Sequence, residues 1–341
     1  MTDARPPDAS RPTIYDVAER AGVSKSLVSL VLRNAPAVSE KRRLAVQAAI
    51  SELGYRPSSA ASSLAGNRTR SIGVAIDDFE NLWFVDLLRG MRRVLDESGH
   101  NVSVADRRLN AHLGRDPVDA FLSLRVEGIV LAMETSGPAT HFGGVPVVVA
   151  GAREVVPVHA DYVANDDAEG ARLATQHLLD LGHRTIGHLT GAGGVSGLRR
   201  TAYEATMADA GCAPLSVGSR GTTEDDGYVA ACALLDGCPA VTGIFAANDV
   251  MVLGALAALR ERRLSVPEDV SIVGYDNSPL AASRYLALTT IDDRSVDVGV
   301  HAARAILARH RDPDRKPSRV LLSPTLVRRA STSAAPAHRS T

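Results

Sequence analysis

The chain has 341 residues, a length that predicts two or three domains. Its composition, 45% hydrophobic and 23% charged, suits a globular protein, and no apolar run approaches the ~20 residues of a membrane span. Three unevenly spaced cysteines provide neither a disulfide framework nor a metal-ligand pattern, and the polar N-terminal segment lacks a signal-peptide core. These features predict a cytoplasmic protein and argue against a secreted or membrane-spanning one.

The charges are unevenly distributed along the chain. The first 70 residues hold 11 basic and 6 acidic side chains, whereas the remainder holds 27 basic and 33 acidic ones. A basic head on an acidic body favours nucleic-acid binding by the head. Taken alone, this asymmetry is equally compatible with a chance fluctuation of charge.

The N-terminal segment "TIYDVAERAGVSKSLVSLVL" predicts two short helices separated by a tight turn. Thr13 and Asp16 form an acidic capping box, Gly22 ends the first helix in a left-handed conformation, and Ser24 caps the second helix. Ser39 is expected to cap a third helix that Gly54 closes. This arrangement is that of a helix-turn-helix, in which the second helix enters the major groove. A generic three-helix bundle is the alternative.

Apolar residues at helical spacing predict the core of this head. The expected inward positions are Ile14, Val17, Ala18, Ala21, Val28, Val31, Leu32, Leu44, Ala48, Ile50 or Ser51, and Leu53. The expected outward positions of the second helix are Lys25, Ser26, Leu27, Ser29 and Leu30.

From Ile72 onward, short apolar runs alternate with helical stretches. "SIGVAI", "NVSVA", "EGIVLAM", "PVVVAG", "TIGHLT", "TGIFAAN" and "VSIVGYD" are strand-like. Near-continuous apolar strands separated by helices indicate parallel sheets covered by helices, and about 260 residues suffice for two Rossmann-like lobes. Ligands of such folds lie beyond the carboxyl ends of the strands, here in a cleft between the lobes.

Polar residues follow several of these predicted strands. They include Asp77, Asp78, Asp166, Asn248, Asp249 and Asp276, and Arg199 lies in the helix after "GAGGVSGL". A guanidinium together with carboxylates and an amide can hold a polyol or a purine through paired hydrogen bonds. Each strand-end aspartate could instead be an ordinary helix cap.

Several motifs together resemble the lactose-repressor (LacI/GalR) family of transcription regulators. They are the N-terminal segment quoted above, "VSEKRRLAVQAAISELGYRPSSAASSLAG", "VANDDAEGARLATQHLLDLGHRTIGHL", "FAANDVMVLGAL", "VSIVGYDN", "LTTID" and "LLSPTLVRRAST". The matches occur in the family's order and extend over almost the whole chain. The resemblance implies an all-α helix-turn-helix head on an α/β body of two Rossmann-like lobes, periplasmic-binding-protein-like of type I.

The resemblance also implies the DNA-binding residues. Tyr15, Ser24, Ser39 and Tyr55 match positions that contact phosphates, whereas Lys25, Ser26 and Leu30 match base-reading positions, with Ser29 on the same face. The family commonly has arginine where this chain has Leu30. Leucine cannot donate two hydrogen bonds to guanine but can pack against a thymine methyl group, so we expect an altered operator preference.

The small polar segment after the head is a flexible linker by composition. The resemblance implies a hinge that becomes helical on operator DNA, where paired helices insert a leucine into the minor groove. Leu64, followed by Ala65, lies at the matching position. Docking of Leu64 onto the body is the alternative.

Within the cleft, the family pattern implies effector-binding roles for Arg199, Asn248 and Asp276. Asn81, Trp83 and Phe84 resemble a family segment that lines the cleft, and Asp78 and Asp166 are the remaining strand-end candidates. Three departures weaken a simple sugar-binding interpretation. An acidic residue is missing at Gly151 or Ala152, Thr222 replaces an aromatic residue, and Asp293 replaces a common glutamine.

The predicted function is a homodimeric repressor that binds a pseudo-palindromic operator and responds to a small polar effector, with a sugar among the candidates. The chain has none of the common enzyme motifs, and no cofactor or metal is predicted. His177, His183 and His188 are interpreted as helix-end and surface residues. A transport-type binding protein would need a secretory signal instead of the head. A DNA-binding regulator with a degenerate, effector-free cleft remains the main rival.

The predicted organisation has five parts. They are a disordered N-terminus (1–12), the helix-turn-helix domain (13–56), the hinge (57–70), the effector-binding and dimerisation domain (71–331) and a disordered tail (332–341). The first lobe is expected to comprise about 71–166 and 295–322, and the second about 167–291 and 323–331. The short tail has no leucine heptads, which argues against a tail-mediated tetramer.

Overall fold

A computed structural model of the chain describes residues 12–32, 35–56, 69–114, 116–135, 142–192, 194–218 and 221–336. The chain divides into two compact units, Met1–Thr69 and Arg70–Thr341. We call the first unit the head and the second the body. The hinge candidates Leu64 and Ala65 lie outside the described residues.

Within its described residues, 12–32 and 35–56, the head contains three helices, α1 (Ile14–Arg20), α2 (Lys25–Leu32) and α3 (Glu40–Leu53). The Asp16 carboxylate accepts hydrogen bonds from the backbone N–H and the hydroxyl of Thr13, so the predicted capping box is present. The Ser24 hydroxyl accepts from the Leu27 N–H at 3.2 Å. Gly22 and Gly54 both adopt φ of +61°, which a side chain would strain. The helix starts and stops of the head therefore follow from local sequence.

The head core differs in part from the predicted set. Val17, Ala18, Val28 and Val31 are buried as expected, together with Val38, Val46, Ala49 and Tyr55. Leu27 was placed on the outward face, but it packs against this core. Leu32, Leu44 and Ala48 were expected inside and are exposed. The inner face of α3 is rotated from the predicted one because the helix packs through Val46 and Ala49.

The body is built around two six-stranded sheets. Their strands are β1 (Ser71–Ile76), β2 (Asn101–Asp106), β3 (Gly128–Ala132), β4 (Val147–Ala150), β5 (Asp161–Asn165), β6 (Ile186–Thr190), β7 (Leu215–Gly218), β8 (Gly243–Ala246), β9 (Ser271–Tyr275), β10 (Thr289–Asp292), β11 (Arg319–Leu322) and β12 (Thr325–Val327).

Helices follow most of these strands. They are α4 (Leu82–Ser98), α5 (Pro117–Ser123), α6 (Asp167–Asp180), α7 (Gly194–Asp209), α8 (Glu224–Gly237), α9 (Asp249–Glu261) and α10 (Ser295–Arg311), and a short 3₁₀ helix spans Ala111–Leu113. None of the helices in the described part of the chain is long and apolar enough to cross a membrane.

Each sheet defines one lobe, and the two lobes share one strand order. The first sheet runs β11-β5-β4-β3-β1-β2 and is parallel throughout, whereas the second runs β12-β10-β9-β8-β6-β7 with only β12 antiparallel. The chain passes between the sheets after β5, after β10 and between β11 and β12. The predicted fold class, two Rossmann-like lobes behind a helical head, is confirmed.

Helices α4 and α10 cover one face of the first sheet. Their core includes Leu87, Met91, Val298 and Ile306, all fully buried. The two helix backbones approach closely at Gly90, where an added Cβ would lie 1.9 Å from the Val296 carbonyl oxygen. This packing holds α10, although it follows β10 of the second sheet, on the first lobe.

Two expectations about the body were wrong. His177, His183 and His188 are buried rather than at the surface, although His177 does lie in the last turn of α6. The His188 ring stacks on Phe245 at 4.5 Å between ring centroids, and its Nδ1 bonds to the Phe245 carbonyl at 2.9 Å. Residues 332–336, expected to be disordered, pack on the second lobe. There the Ser333 carbonyl lies 3.1 Å from His183 Nε2, and the Ala335 N–H donates to the Leu181 carbonyl.

Candidate functional site

The first candidate surface lies at the start of α2 in the head. Lys25 and Ser26 are exposed, Ser29 is half-buried and Leu30 is 41% exposed. Tyr15 is 63% exposed, and its hydroxyl accepts a hydrogen bond from Lys25 Nζ at 3.0 Å. The Lys25 ammonium also lies 4.6 Å from the centroid of the Tyr15 ring, and its hydrogen bond lowers the pKa of the Tyr15 hydroxyl. The fold thus brings a residue of α1 and one of α2 into a single cationic surface.

The other predicted phosphate contacts have different surroundings. Ser24 is exposed and caps α2, and Ser39 is exposed at the start of α3, where its side chain makes no capping hydrogen bond. Tyr55 is only 8% exposed because its ring packs in the head core. Ser39 is therefore readily accessible, whereas only a small part of Tyr55 reaches the surface.

The second candidate site is a cavity of about 810 Å³ between the two lobes of the body. Its walls come from the carboxyl ends of strands in both sheets: Asp77 follows β1, Arg153 follows β4, Asn248 follows β8 and Asp276 follows β9. Parallel strands of a doubly wound sheet direct their following loops to one edge, and this edge is where such folds bind ligands. We call this space the cleft cavity.

Most of the predicted effector residues line the cleft cavity. Asp78, Asn81, Trp83, Phe84, Arg199, Asn248 and Asp276 all contribute to its walls. Asp166 does not line the cavity; its carboxylate caps α6 by accepting from the Glu169 N–H at 3.0 Å. Its neighbours Asn165 and Asp167 line the cavity instead. For Asp166 the ordinary helix-cap interpretation was the right one.

Two of the lining residues also cap helices. The Asn81 side chain accepts from the Trp83 N–H at 3.0 Å, and the Asn248 oxygen accepts from the Met251 N–H at 2.8 Å. The Asn248 amide nitrogen donates to the Thr222 carbonyl at 3.1 Å. The helix starts therefore fix the orientation of both amides before any ligand arrives.

Arg199 is the central cation of the second lobe's wall. It is 7% exposed; its Nε donates to Asp167 Oδ1 at 2.9 Å, and Nη1 lies 3.7 Å from Asp276 Oδ1. Its guanidinium also lies 3.5 Å from the centre of the Tyr275 ring. Burial alone would lower the pKa of Arg199, but the surrounding carboxylates, Asp167 first, hold it above its usual value. The arginine is thereby fixed and charged.

The carboxylates around Arg199 are crowded. Burial raises the pKa of Asp276 well above its usual range, and Asp293 adds to the rise while Arg199 opposes it. Burial likewise raises the pKa of Asp293 to about 7, and one of its carboxylate oxygens has no hydrogen-bond partner. The single positive charge of Arg199 is therefore outnumbered by the buried carboxyl groups of Asp167, Asp276 and Asp293.

Sequence reasoning missed a second arginine, the half-buried Arg153, on the wall of the first lobe. Its guanidinium lies 5.8 Å from the Trp83 ring centroid and is attracted by Asp77 and Glu134. Burial raises the pKa of both acids, and Arg153 opposes the rise. Asp77 was a candidate because polar residues that directly follow a strand tend to line the cleft. Glu134 after β3 and Arg153 after β4 occupy equivalent positions, so the sequence contained the information needed to find them.

Backbone and side-chain contacts join the lobes across the cleft cavity. Glu154, which follows β4, accepts a hydrogen bond from the Gly194 N–H at the start of α7 at 3.2 Å. Asn165 at the end of β5 donates to the Tyr275 hydroxyl at 3.3 Å. Among the described residues, no group of three or more histidine, cysteine or acidic side chains is arranged to hold a metal ion.

Comparison with known proteins identifies both units. Residues 13–58 match the bacterial regulatory proteins of the lacI family, and residues 175–332 match the periplasmic binding protein-like domain. The HTH-type transcriptional repressor PurR of Escherichia coli O139:H28 is 33% identical over 337 residues, which cover 95% of this chain and 98% of PurR.

Two solved structures extend the likeness to three dimensions. A LacI-family transcriptional regulatory protein from Corynebacterium glutamicum is 43% identical with a TM-score of 0.70, covering 78% of this chain and 99% of that one. The lac repressor dimer bound to operator and the anti-inducer ONPF is 28% identical with a TM-score of 0.77, covering 95% of this chain and all of that one. These relatives are transcription regulators rather than enzymes. The chain belongs to the LacI family of bacterial regulatory proteins and is a DNA-binding transcription regulator.

Proposed function

We propose that the chain is a homodimeric repressor whose two heads bind a pseudo-palindromic operator. Lys25, Ser26, Ser29 and Leu30 would read bases, and Tyr15, Ser24, Ser39 and Tyr55 would contact phosphates, with Leu64 and Ala65 of the hinge entering the minor groove. The exposed start of α2 supports this assignment, because a cationic, hydroxyl-rich helix N-terminus suits a phosphate-lined groove. Two-fold symmetry of such a dimer would match two operator half-sites. Binding to chromosomal DNA implies a cytoplasmic location.

We further propose that a small polar effector, with sugars among the candidates, binds in the cleft cavity and changes operator affinity. Asp78, Asn81, Trp83, Phe84, Arg199, Asn248 and Asp276 would contact it. The observation that carries this proposal is the construction of the cavity: both lobes contribute preoriented polar groups to one shared space. A ligand that bridges the lobes would stabilise one relative arrangement of them, and that arrangement sets the separation of the two hinges.

Removal of the head tests whether DNA binding and effector binding belong to separate parts of the chain. The full chain and a fragment of residues 71–341 are compared for binding to operators selected from fragmented genomic DNA, at several salt concentrations. We expect the full chain alone to bind selected sites, and both proteins to show the same ligand-induced thermal shifts. DNA affinity retained by the fragment would contradict the role of the head. Selected operators whose binding no ligand alters would favour the effector-free regulator.

A further inference from the structure

The cleft cavity carries an unusual excess of acidic side chains. Nine of its described lining residues are aspartate or glutamate, against three arginines and no lysine. Low-dielectric walls of one charge sign raise the local concentration of oppositely charged ligands. The walls of this cavity therefore favour a cation and repel an anion.

Two of the three arginines are held by acidic side chains. At the mouth, Arg108 Nη1 lies 2.5 Å from Asp78 and 3.1 Å from Glu80. Arg199 is held by Asp167, as described above. Arg153 instead donates through Nη1 to the Ala152 carbonyl, and its buried Nε has no hydrogen-bond partner. A phosphate or carboxylate group would have to displace an acidic side chain from Arg108 or Arg199, and at Arg153 it would meet the nearby negative charges of Asp77 and Glu134.

One carboxylate oxygen in the wall lacks a donor. Asp167 is 2% exposed and gives Oδ1 to Arg199, while its buried Oδ2 has no hydrogen-bond partner. Asp276, across the same guanidinium, lies 3.7 Å from Arg199 Nη1, which is beyond hydrogen-bond distance. Buried carboxylate oxygens are stabilised by hydrogen bonds from donors, and charged donors stabilise them most. A ligand with an N–H donor would fill this gap.

Aromatic rings in the wall suit an organic cation. Trp83 and Phe84 both line the cavity, with ring centroids 5.2 Å apart in an edge-to-face arrangement. The Trp83 ring already has the Arg153 guanidinium 5.8 Å from its centroid, and the two aromatic side chains add apolar surface on which the carbon atoms of a ligand can pack. No set of three ligand side chains is arranged for a metal among the residues the structure describes, so the chemistry favours an amine over an inorganic cation.

We propose that the effector carries at least one protonated amine, which Asp167 and Asp276 bind. This inference rests on the proposed effector function of the cleft cavity and narrows its ligand class. The cavity volume of about 810 Å³ accommodates an amino sugar or a short diamine with room for bound water.

Two matched ligand sets test the proposal on the full-length protein. The first set has one sugar skeleton with different charge: D-glucosamine, D-glucose and D-glucuronate. The second has a four-carbon chain with different ends: 1,4-diaminobutane, 1,4-butanediol and succinate. Thermal shifts are measured at constant ionic strength across a concentration series, and magnesium chloride is included as an inorganic cation.

In at least one set, we expect the amine to bind at least tenfold more tightly than the neutral member, with no binding by the acid. A neutral or acidic compound that binds as tightly as its amine, or stabilisation by Mg²⁺ but no amine, would overturn the amine assignment while leaving the effector function intact. If no compound of any charge binds, the amine assignment is wrong. A broader set of ligands is then screened for a change in operator affinity, and that result decides separately whether the cleft cavity has an effector function.

Side-chain variants locate the binding groups. Asp167→Asn and Asp276→Asn keep the side-chain shape and remove the carboxylate that would pair with the amine, and each is expected to weaken binding of the amine at least tenfold. Asp314→Asn removes the same charge from an exposed position outside the cavity and serves as the matched control. Equal weakening by the control would show that net protein charge, not the cavity, attracts the amine. Thermal unfolding of each ligand-free variant identifies any loss of folding.

Discussion

Replacement of Asp293 by asparagine is expected to stabilise the body in a pH-dependent way. Asp293 is fully buried at the start of α10; Oδ1 accepts a hydrogen bond from the Ser295 N–H at 3.0 Å, while Oδ2 has no hydrogen-bond partner. An asparagine can keep the first bond through its oxygen. Its amide can donate towards neighbouring carboxylates instead of repelling them.

The magnitude follows from the pKa of this carboxyl group. Burial raises the pKa of Asp293 from 3.8 to about 7, so the folded protein holds the proton more tightly than the unfolded chain does. The tighter proton binding by Asp293 in the folded protein therefore contributes fully to the free energy of unfolding below pH 4, and this contribution is lost as the pH rises through 7. A shift of about 3 pKa units at about 1.4 kcal/mol per unit corresponds to about 4 kcal/mol. The Asp293→Asn variant would avoid this loss, because an amide does not ionise in this range.

Denaturant unfolding at pH 4, 6 and 8 measures the effect. Trp83 is the chain's single tryptophan and is buried in the body, so its fluorescence reports unfolding of the body without a contribution from the head. We expect Asp293→Asn to gain under about 1 kcal/mol at pH 4 and between about 2 and 4 kcal/mol at pH 8. Asp314→Asn, at an exposed site, is the control and should show no such trend. An equal gain at all three pH values, or a loss at pH 8, would refute the reasoning.

Three further substitutions test other parts of the molecule. Arg199→Ala should abolish the ligand-induced change in operator affinity, measured by fluorescence anisotropy, while operator affinity without ligand is retained; an unchanged dose response would remove Arg199 from the effector site. Leu30→Arg should change the preferred bases in a binding-selection assay, because arginine can donate two hydrogen bonds to guanine, and an identical preferred site would deny Leu30 a reading role. Gly90→Ala should destabilise the body by more than about 2 kcal/mol in denaturant unfolding, because its Cβ would meet the Val296 carbonyl at 1.9 Å. Gly197→Ala, in α7 with open space around it, is the control and should be neutral or slightly stabilising, so equal effects would contradict the packing argument.

Local sequence patterns were sufficient to predict the architecture of this protein. Caps at Thr13 and Ser24 and the left-handed turn at Gly22 depend on residues within four positions of one another, and the structure has all three. The apolar strand runs determine the sheets in the same way, because a strand buried on both faces is apolar along its whole length. Strand ends then indicate where a ligand cavity forms, since the fold directs the loops after parallel strands to one edge.

Tertiary structure decided which of several similar residues occupies a given role. Asp166 and Asp167 are adjacent in sequence, yet the first caps α6 and the second lines the cleft cavity, because the start of the helix turns their side chains in different directions. His188 looked like a surface residue and is buried because β6 lies inside the second sheet.

Leu27 and Asp293 were decided by distant partners. Leu27 faces the head core because of how α1 and α3 pack on α2. The sequence of α2 alone does not determine this packing. Asp293 shares a buried environment with Arg199 and Asp276, which lie on other elements of the body. The sequence by itself determined the family, the two-lobed body and the edge at which ligands bind. Only the folded chain decided the charge of that cavity, because electrostatic crowding is a sum over residues that the sequence keeps far apart.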